Sequence, residues 1–234
     1  MFLSLRSYQK ELLDNEHIPF EDIKQNMKEL DFINTWLGGH KITIQGIQQI
    51  FSSYPTAPGK VITICEIGCG GGDNLRAIDR WAAKKHIPVR LIGIDRKKEC
   101  IDFAKEKICS HAYSWICADY EKADIAAIAP DIIFSSLFCH HFSDDEMTEM
   151  IQWMKRNSRH GFFINDLHRH IVAYTCIKLL TKFFSKSYLV KNDAPLSVKR
   201  GFKKKDWQLI MQRADIRNYS IQWKWAFRWL IISK

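Results

Sequence analysis

The stretch Val61–Lys85 constrains this chain most. Val61–Ile67 is an apolar, β-branched run that breaks into Gly68-Cys69-Gly70-Gly71-Gly72 and then into a helical pattern over Asn74–Lys85. A buried strand, a glycine turn and a helix in that order make a βα unit. The alternation then continues. Val89–Ile94 reads as strand, Lys97–Lys107 as helix, Trp115–Cys117 and Ile132–Ser135 as strands, and Ser143–Lys155 as helix. Gly161–Ile164 is a fifth strand, followed by helices over Ile171–Phe184 and Lys203–Arg213 and a mostly extended Tyr219–Ile232. Strands bounded by helices in this way predict an α/β fold with a parallel, doubly wound sheet and helices on both faces. In such sheets ligands bind at the carboxyl ends of the strands, near the switch in strand order.

Ahead of the alternation, residues 1–53 read as helical. Phe20–Leu37 places Ile23, Met27, Leu30, Ile33, Trp36 and Leu37 near helical spacing, between a Pro19 start and a Gly38-Gly39 stop, and a further helix covers about Ile42–Phe51. The Pro/Ser/Gly-dense stretch 52–59 marks the expected boundary between an N-terminal helical cap (1–58) and the main domain (59–234). Within the latter, 169–202 is expected to form a lid-like helix and loop, with Asp193–Phe202 as its polar, turn-rich part.

At 234 residues the chain is long enough for one well-buried core. No run of about 18 apolar residues is free of charge, since Lys178, Lys182 and Lys186 interrupt the most apolar segment. The first ten residues lack a signal-peptide hydrophobic stretch, so the expected location is cytoplasmic. Seven cysteines, an odd number without a C-x-x-C pair, agree with free thiols. Cys65 and Cys69 have no second Cys/His pair to complete a tetrahedral site, so no metal is expected. Charge is uneven: residues 1–150 carry 17 Lys and Arg against 22 Asp and Glu, and residues 151–234 carry 18 against 4. A cationic C-terminal part points to an anionic partner, an acidic membrane surface or a solvated basic face.

The turn itself reads Glu66-Ile-Gly68-Cys-Gly70-Gly-Gly72-Asp73. The dinucleotide fingerprint needs a small residue where Asp73 stands, and no G-K-[ST] follows as in a P-loop. A loop carrying Glu66 and Asp73 suits a cation better than a diphosphate. The second strand ends at Asp95, placed to accept hydrogen bonds from a ribose diol, with Arg96 beside it. The third ends at Asp119-Tyr120, where a carboxylate suits the adenine amine. Each Asp alone could simply cap the following helix. Three acids at three successive strand ends favour a ligand.

In these residues the sequence resembles the class I, S-adenosylmethionine-dependent methyltransferases of small-molecule type. The resemblance spans about residues 60–234. It implies a seven-stranded Rossmann-like sheet whose last strand is antiparallel, with S-adenosylmethionine as cofactor and S-adenosylhomocysteine as product. Glu66, Gly68, Gly70 and Gly72 match the motif that wraps the methionine part, Asp95 the ribose acid, and Asp119 with Tyr120 the adenine-contacting site. Pro130–Phe142 matches the fourth-strand motif, in which a group near Ser136 contacts the cofactor.

Methyl transfer requires an aligned and deprotonated acceptor. His140 and His141 follow the fourth strand, and His140 is favoured as general base, since imidazole titrates near neutral pH; packing against the next helix is the alternative. Asp166, His168 and Arg169 after the fifth strand, and Arg200 further on, are candidate substrate-binding residues. The helix 171–184, continued to Lys186, suits a lid, a helix lying on anionic lipid, or an ordinary amphipathic helix. The favoured activity is O-methylation of a phenolic, polyketide or quinone-like acceptor, with C- and N-methylation left open. The alternatives are a nucleic-acid methyltransferase, which lacks the expected Asn/Asp-Pro-Pro-Tyr motif at the fourth strand, and a non-catalytic cofactor-binding protein.

Overall fold

The computed structural model describes residues 3–15, 17–54, 59–108, 110–125 and 128–234. Seven strands, β1 (Ile62–Ile67), β2 (Val89–Asp95), β3 (Tyr113–Cys117), β4 (Ile132–Ser136), β5 (Gly161–Leu167), β6 (Tyr219–Lys224) and β7 (Arg228–Ser233), form one sheet in the order β3-β2-β1-β4-β5-β7-β6. The first five run parallel, and β7 lies antiparallel to both β5 and β6. The order reverses between β1 and β4, so a crevice opens at their carboxyl ends.

Helices α1 (Phe20–Trp36), α2 (Gly39–Phe51), α3 (Asp73–Lys84), α4 (Lys98–Lys107), α5 (Asp144–Asn157), α6 (Ile171–Phe184), α7 (Tyr188–Arg200) and α8 (Lys204–Arg213) complete the fold. Strand side chains alternate between faces, and consecutive apolar residues therefore feed two cores. Ile64, Ile132, Phe163 and Ile232 pack with Ile47 and Ile50 of α2 and Leu75 and Ile78 of α3. Cys65, Ile133, Phe162 and Ile231 pack on the other side with Met147, Met150 and Met154 of α5 and Trp207 and Ile210 of α8. Because neither face meets water, these strands read as continuous apolar runs.

Two expectations need correction. Residues 3–15 and 17–19 are not α-helical: the only helical piece among them is a short 3-10 turn, Leu12–Asp14, and α1 begins after Pro19. Residues 193–200 are not a loop but the end of α7. Ser187 caps that helix at Val190 N, while Leu189, Val190, Leu196 and Val198 are buried, so packing outweighs the interruption at Pro195. The proposed boundary at residue 58 falls in Pro55–Pro58, outside the described residues.

Candidate active site

The β1–α3 turn needs glycine on two independent grounds. Gly68 and Gly72 adopt φ of +68° and +71°, in the left-handed region. A Cβ would lie 2.3 Å from the Phe138 ring at Gly68 and 2.5 Å from Trp115 at Gly72. The turn thereby stays close beneath a cavity of about 870 Å³ at the carboxyl ends of β1, β2 and β4. Glu66, Gly68, Gly70, Asp95, Arg96, Asp119, Tyr120 and Ser136 all line this cavity, so the expected cofactor residues converge; Gly72 shapes the turn from behind.

Glu66 is 1% exposed, and Asn74 Nδ2 donates to its Oε1 at 2.8 Å while Oε2 has no partner. Burial, reinforced by the charge of Asp73, pushes this carboxyl well above its usual range. Asp95 accepts Gly70 N–H on Oδ2 and Lys97 N–H on Oδ1, both at 2.9 Å, and burial raises its pKa as well. Asp119 is exposed and caps the 3-10 turn Tyr120–Lys122 through Glu121 N, so it caps and lines the cavity at once. The arrangement fits a cationic nucleoside–amino-acid ligand. An orphaned carboxylate oxygen awaits a donor, and the glycine cradle would be filled by any side chain.

The other end is built around His140, which is 3% exposed in the turn Cys139–His141 after β4. Its Nδ1 lies 2.8 Å from Asp166 Oδ1, and Asp166 is fully buried. Burial alone would raise the Asp166 carboxyl, but the charge and hydrogen bond of His140 hold it below its ordinary value. A carboxylate at Nδ1 fixes the Nδ1–H tautomer and leaves Nε2 as a proton acceptor.

Sequence reasoning missed what faces that nitrogen. Glu11, from the irregular N-terminal segment, places Oε1 3.6 Å from His140 Nε2 and Oε2 3.6 Å from His141 Nε2. Asp14 meets His141 Nδ1 at 3.1 Å. Burial raises the Glu11 carboxyl; Asp14, despite partial burial, is held well below its usual range by its hydrogen bond to His141. Nothing local distinguishes Glu11 in a stretch expected to be helical.

The four candidate substrate residues take different places. Arg200 borders the cavity, but its guanidinium is engaged with the carbonyls of His140 (3.0 Å) and Gln9 (2.8 Å) and with Asp14 (3.4 Å). Asp166 lies behind His140. His168 packs against Trp229, and burial and neighbouring cations lower its pKa to about 4. Arg169 is a structural clasp, pairing with Asp206 at 3.0 Å and donating to the carbonyls of Leu3 and Gly201. Asp166, His168 and Arg169 do not line the cavity.

Residues 64–161 match the family model described as Methyltransferase domain. No curated protein matches the sequence. Among solved structures, the plantazolicin methyltransferase BpumL, in complex with a pentazolic desmethylPZN analog and SAH, is 17% identical at a TM-score of 0.64, over 87% of this chain and 74% of that one. A SAM-dependent methyltransferase from Aquifex aeolicus is 15% identical at 0.61, over 92% of this chain and 98% of that one. Human N-acetylserotonin methyltransferase in complex with SAM is 14% identical at 0.62, over 92% of this chain and 56% of that one. The methyltransferase-domain match thus covers β1 to the start of β5, which includes the glycine turn, and the chain shares the fold of these three structures.

Proposed function

We propose that this enzyme methylates the hydroxyl oxygen of a small, lipophilic, aromatic acceptor. The supporting observation is the layout of one cavity. Its glycine turn and acids lie at one end and the buried His140–Asp166 pair at the other, with Leu30, Ile33, Ile177, Leu180 and Phe227 among the apolar walls. In this reading Glu66, Gly68, Gly70, Asp95, Arg96, Asp119, Tyr120 and Ser136 hold S-adenosylmethionine, with Gly72 shaping the turn. Bound there, the cofactor supplies an electrophilic methyl group on a sulfonium. His140 Nε2 takes the hydroxyl proton as the oxygen attacks, and Asp166 stabilises the imidazolium that results. His141 and Glu11 border the same space, and the apolar walls orient the ring and exclude water.

Helix α6 adds to the reading of the acceptor. It lines the cavity through Ala173, Cys176, Ile177 and Leu180, yet of its residues only Thr181 is buried. Leu179, Phe183 and Phe184 are exposed beside Lys178, Lys182 and Lys186. In this reading the helix lies on an anionic lipid surface from which a tailed acceptor enters. Among the described residues no helix is long and apolar enough to cross a membrane.

The test is a panel of alkyl-tailed phenols, quinols and hydroxybenzoates, read out as S-adenosylhomocysteine, with product mass spectra locating the methyl. Turnover that carries the methyl only to carbon or nitrogen refutes O-methylation. Absence of turnover across the panel refutes the acceptor class.

A further inference from the structure

Arg228 opens β7 and is 3% exposed, yet it borders the cavity. Its Nη1 has no hydrogen-bond partner, and among the described residues no carboxylate reaches ion-pair contact with it. Asp166 and Asp73 are the acidic groups whose charge is felt there, and burial outweighs them, lowering the guanidinium to about 10. Every other arginine this deeply buried (Arg169, Arg200) is tied to carbonyls and a carboxylate. A buried, unpaired guanidinium is strongly destabilising unless something neutralises it.

A Cβ at Gly39, the first residue of α2, would lie 1.7 Å from Asn34 Oδ1 and 3.0 Å from Arg228 Nη1, so the group the protein places at that helix end beside the guanidinium is a neutral amide and not a carboxylate. At the opposite sign, Glu66 Oε2 is orphaned in the same cavity. One cavity thus offers an unpaired carboxylate oxygen and an unpaired guanidinium nitrogen, complementary to a ligand carrying both an ammonium and a carboxylate.

We propose that Arg228 is a carboxylate-binding subsite of this cavity. The proposal rests on the cofactor reading above. Two bound molecules can bring the carboxylate, the methionine part of the cofactor or an acidic acceptor, and the test separates them. Wild-type protein is titrated calorimetrically with S-adenosylhomocysteine, with its decarboxylated analogue, and, in the S-adenosylhomocysteine complex, with 4-hydroxybenzoate and phenol. The same series is run on Arg228→Met, which keeps length and removes charge.

If the cofactor supplies the group, wild type prefers S-adenosylhomocysteine to its decarboxylated analogue by about thirty-fold, and the variant loses that preference while holding the analogue as before. If the acceptor supplies it, cofactor affinities are unchanged, and 4-hydroxybenzoate binds more tightly than phenol in wild type only. The ligand-free variant is expected to melt no lower than wild type, because a buried unpaired charge has gone. No carboxylate preference in wild type, in either arm, overturns the subsite without any variant. A preference that survives in a folded Arg228→Met protein assigns it elsewhere and overturns it too. Failure to bind S-adenosylhomocysteine or its analogue at all would instead overturn the cofactor reading.

Discussion

Replacing Asp166 by Asn tests the proposed proton path with little change of shape. The carboxylate meets His140 Nδ1 at 2.8 Å, and both residues are at most 3% exposed. A hydrogen bond to a charged group contributes about 1.5–3 kcal/mol, which corresponds to roughly 10- to 150-fold in a rate that depends on it. The amide can also turn its N–H toward Nδ1, moving the imidazole proton to Nε2 and removing the acceptor lone pair; that adds to the loss. The expected result is a fall in kcat of at least about 30-fold, with S-adenosylhomocysteine affinity within two-fold of wild type, because Asp166 lies outside the cavity. The native-state carboxyl is held below its ordinary value. Its contribution to stability is therefore present above the unfolded-state pKa, about 3.9, and is lost as pH falls through the folded one. Melting temperatures of variant and wild type should accordingly converge in acid. Turnover within two-fold of wild type, or a parallel loss of cofactor affinity, would refute the assignment of Asp166 as the group that orients the base.

Three further outcomes follow from the same geometry. Gly68→Ala should abolish measurable cofactor binding and lower Tm, because a Cβ meets the Phe138 ring at 2.3 Å and φ is +68°, with the backbone alone costing about 1 kcal/mol; calorimetry with S-adenosylhomocysteine checks it. Glu11→Gln should raise Tm at neutral pH and not at pH 4. Burial raises the native carboxyl pKa, so wild type loses stability as pH rises from the unfolded value of about 4.3 through the folded one, and glutamine does not. Phe183→Glu/Phe184→Glu should abolish sedimentation with phosphatidylglycerol vesicles while leaving the melting curve unchanged, since both rings are exposed; equal sedimentation of both proteins removes α6 from the lipid contact.

Most of the sheet is legible along the chain because its information is local. Ile132-Ile133 or Phe162-Phe163 send neighbouring side chains to opposite cores, so an unbroken apolar run announces a strand buried on both faces. The glycine turn is legible for the same reason, since Gly68 and Gly72 answer to backbone angles and to the nearby Phe138 and Trp115 rings. Helix α7 was not legible. Pro195 and the polar residues around it argue for a turn, and only the burial of Leu189, Val190, Leu196 and Val198 in the folded molecule argues otherwise.

The acceptor end of the cavity was half legible for a deeper reason. His140 stands out because it follows a strand end, where ligands bind, but its partners come from distant segments: Asp166 is 26 positions later, and Glu11 is on a stretch with no regular structure beyond one short turn. A charged residue reads as solvent-exposed until the fold shows what encloses it. Arg169, Arg200 and Arg228 look alike in sequence, yet each is nearly inaccessible in the structure. What separates them is satisfaction: two have their donors engaged by the protein's own carbonyls and carboxylates, and the third has an N–H left over. Such a difference has no local signature, because it is set by which acceptors the finished fold brings near, and the unsatisfied donor is the one that points to a ligand.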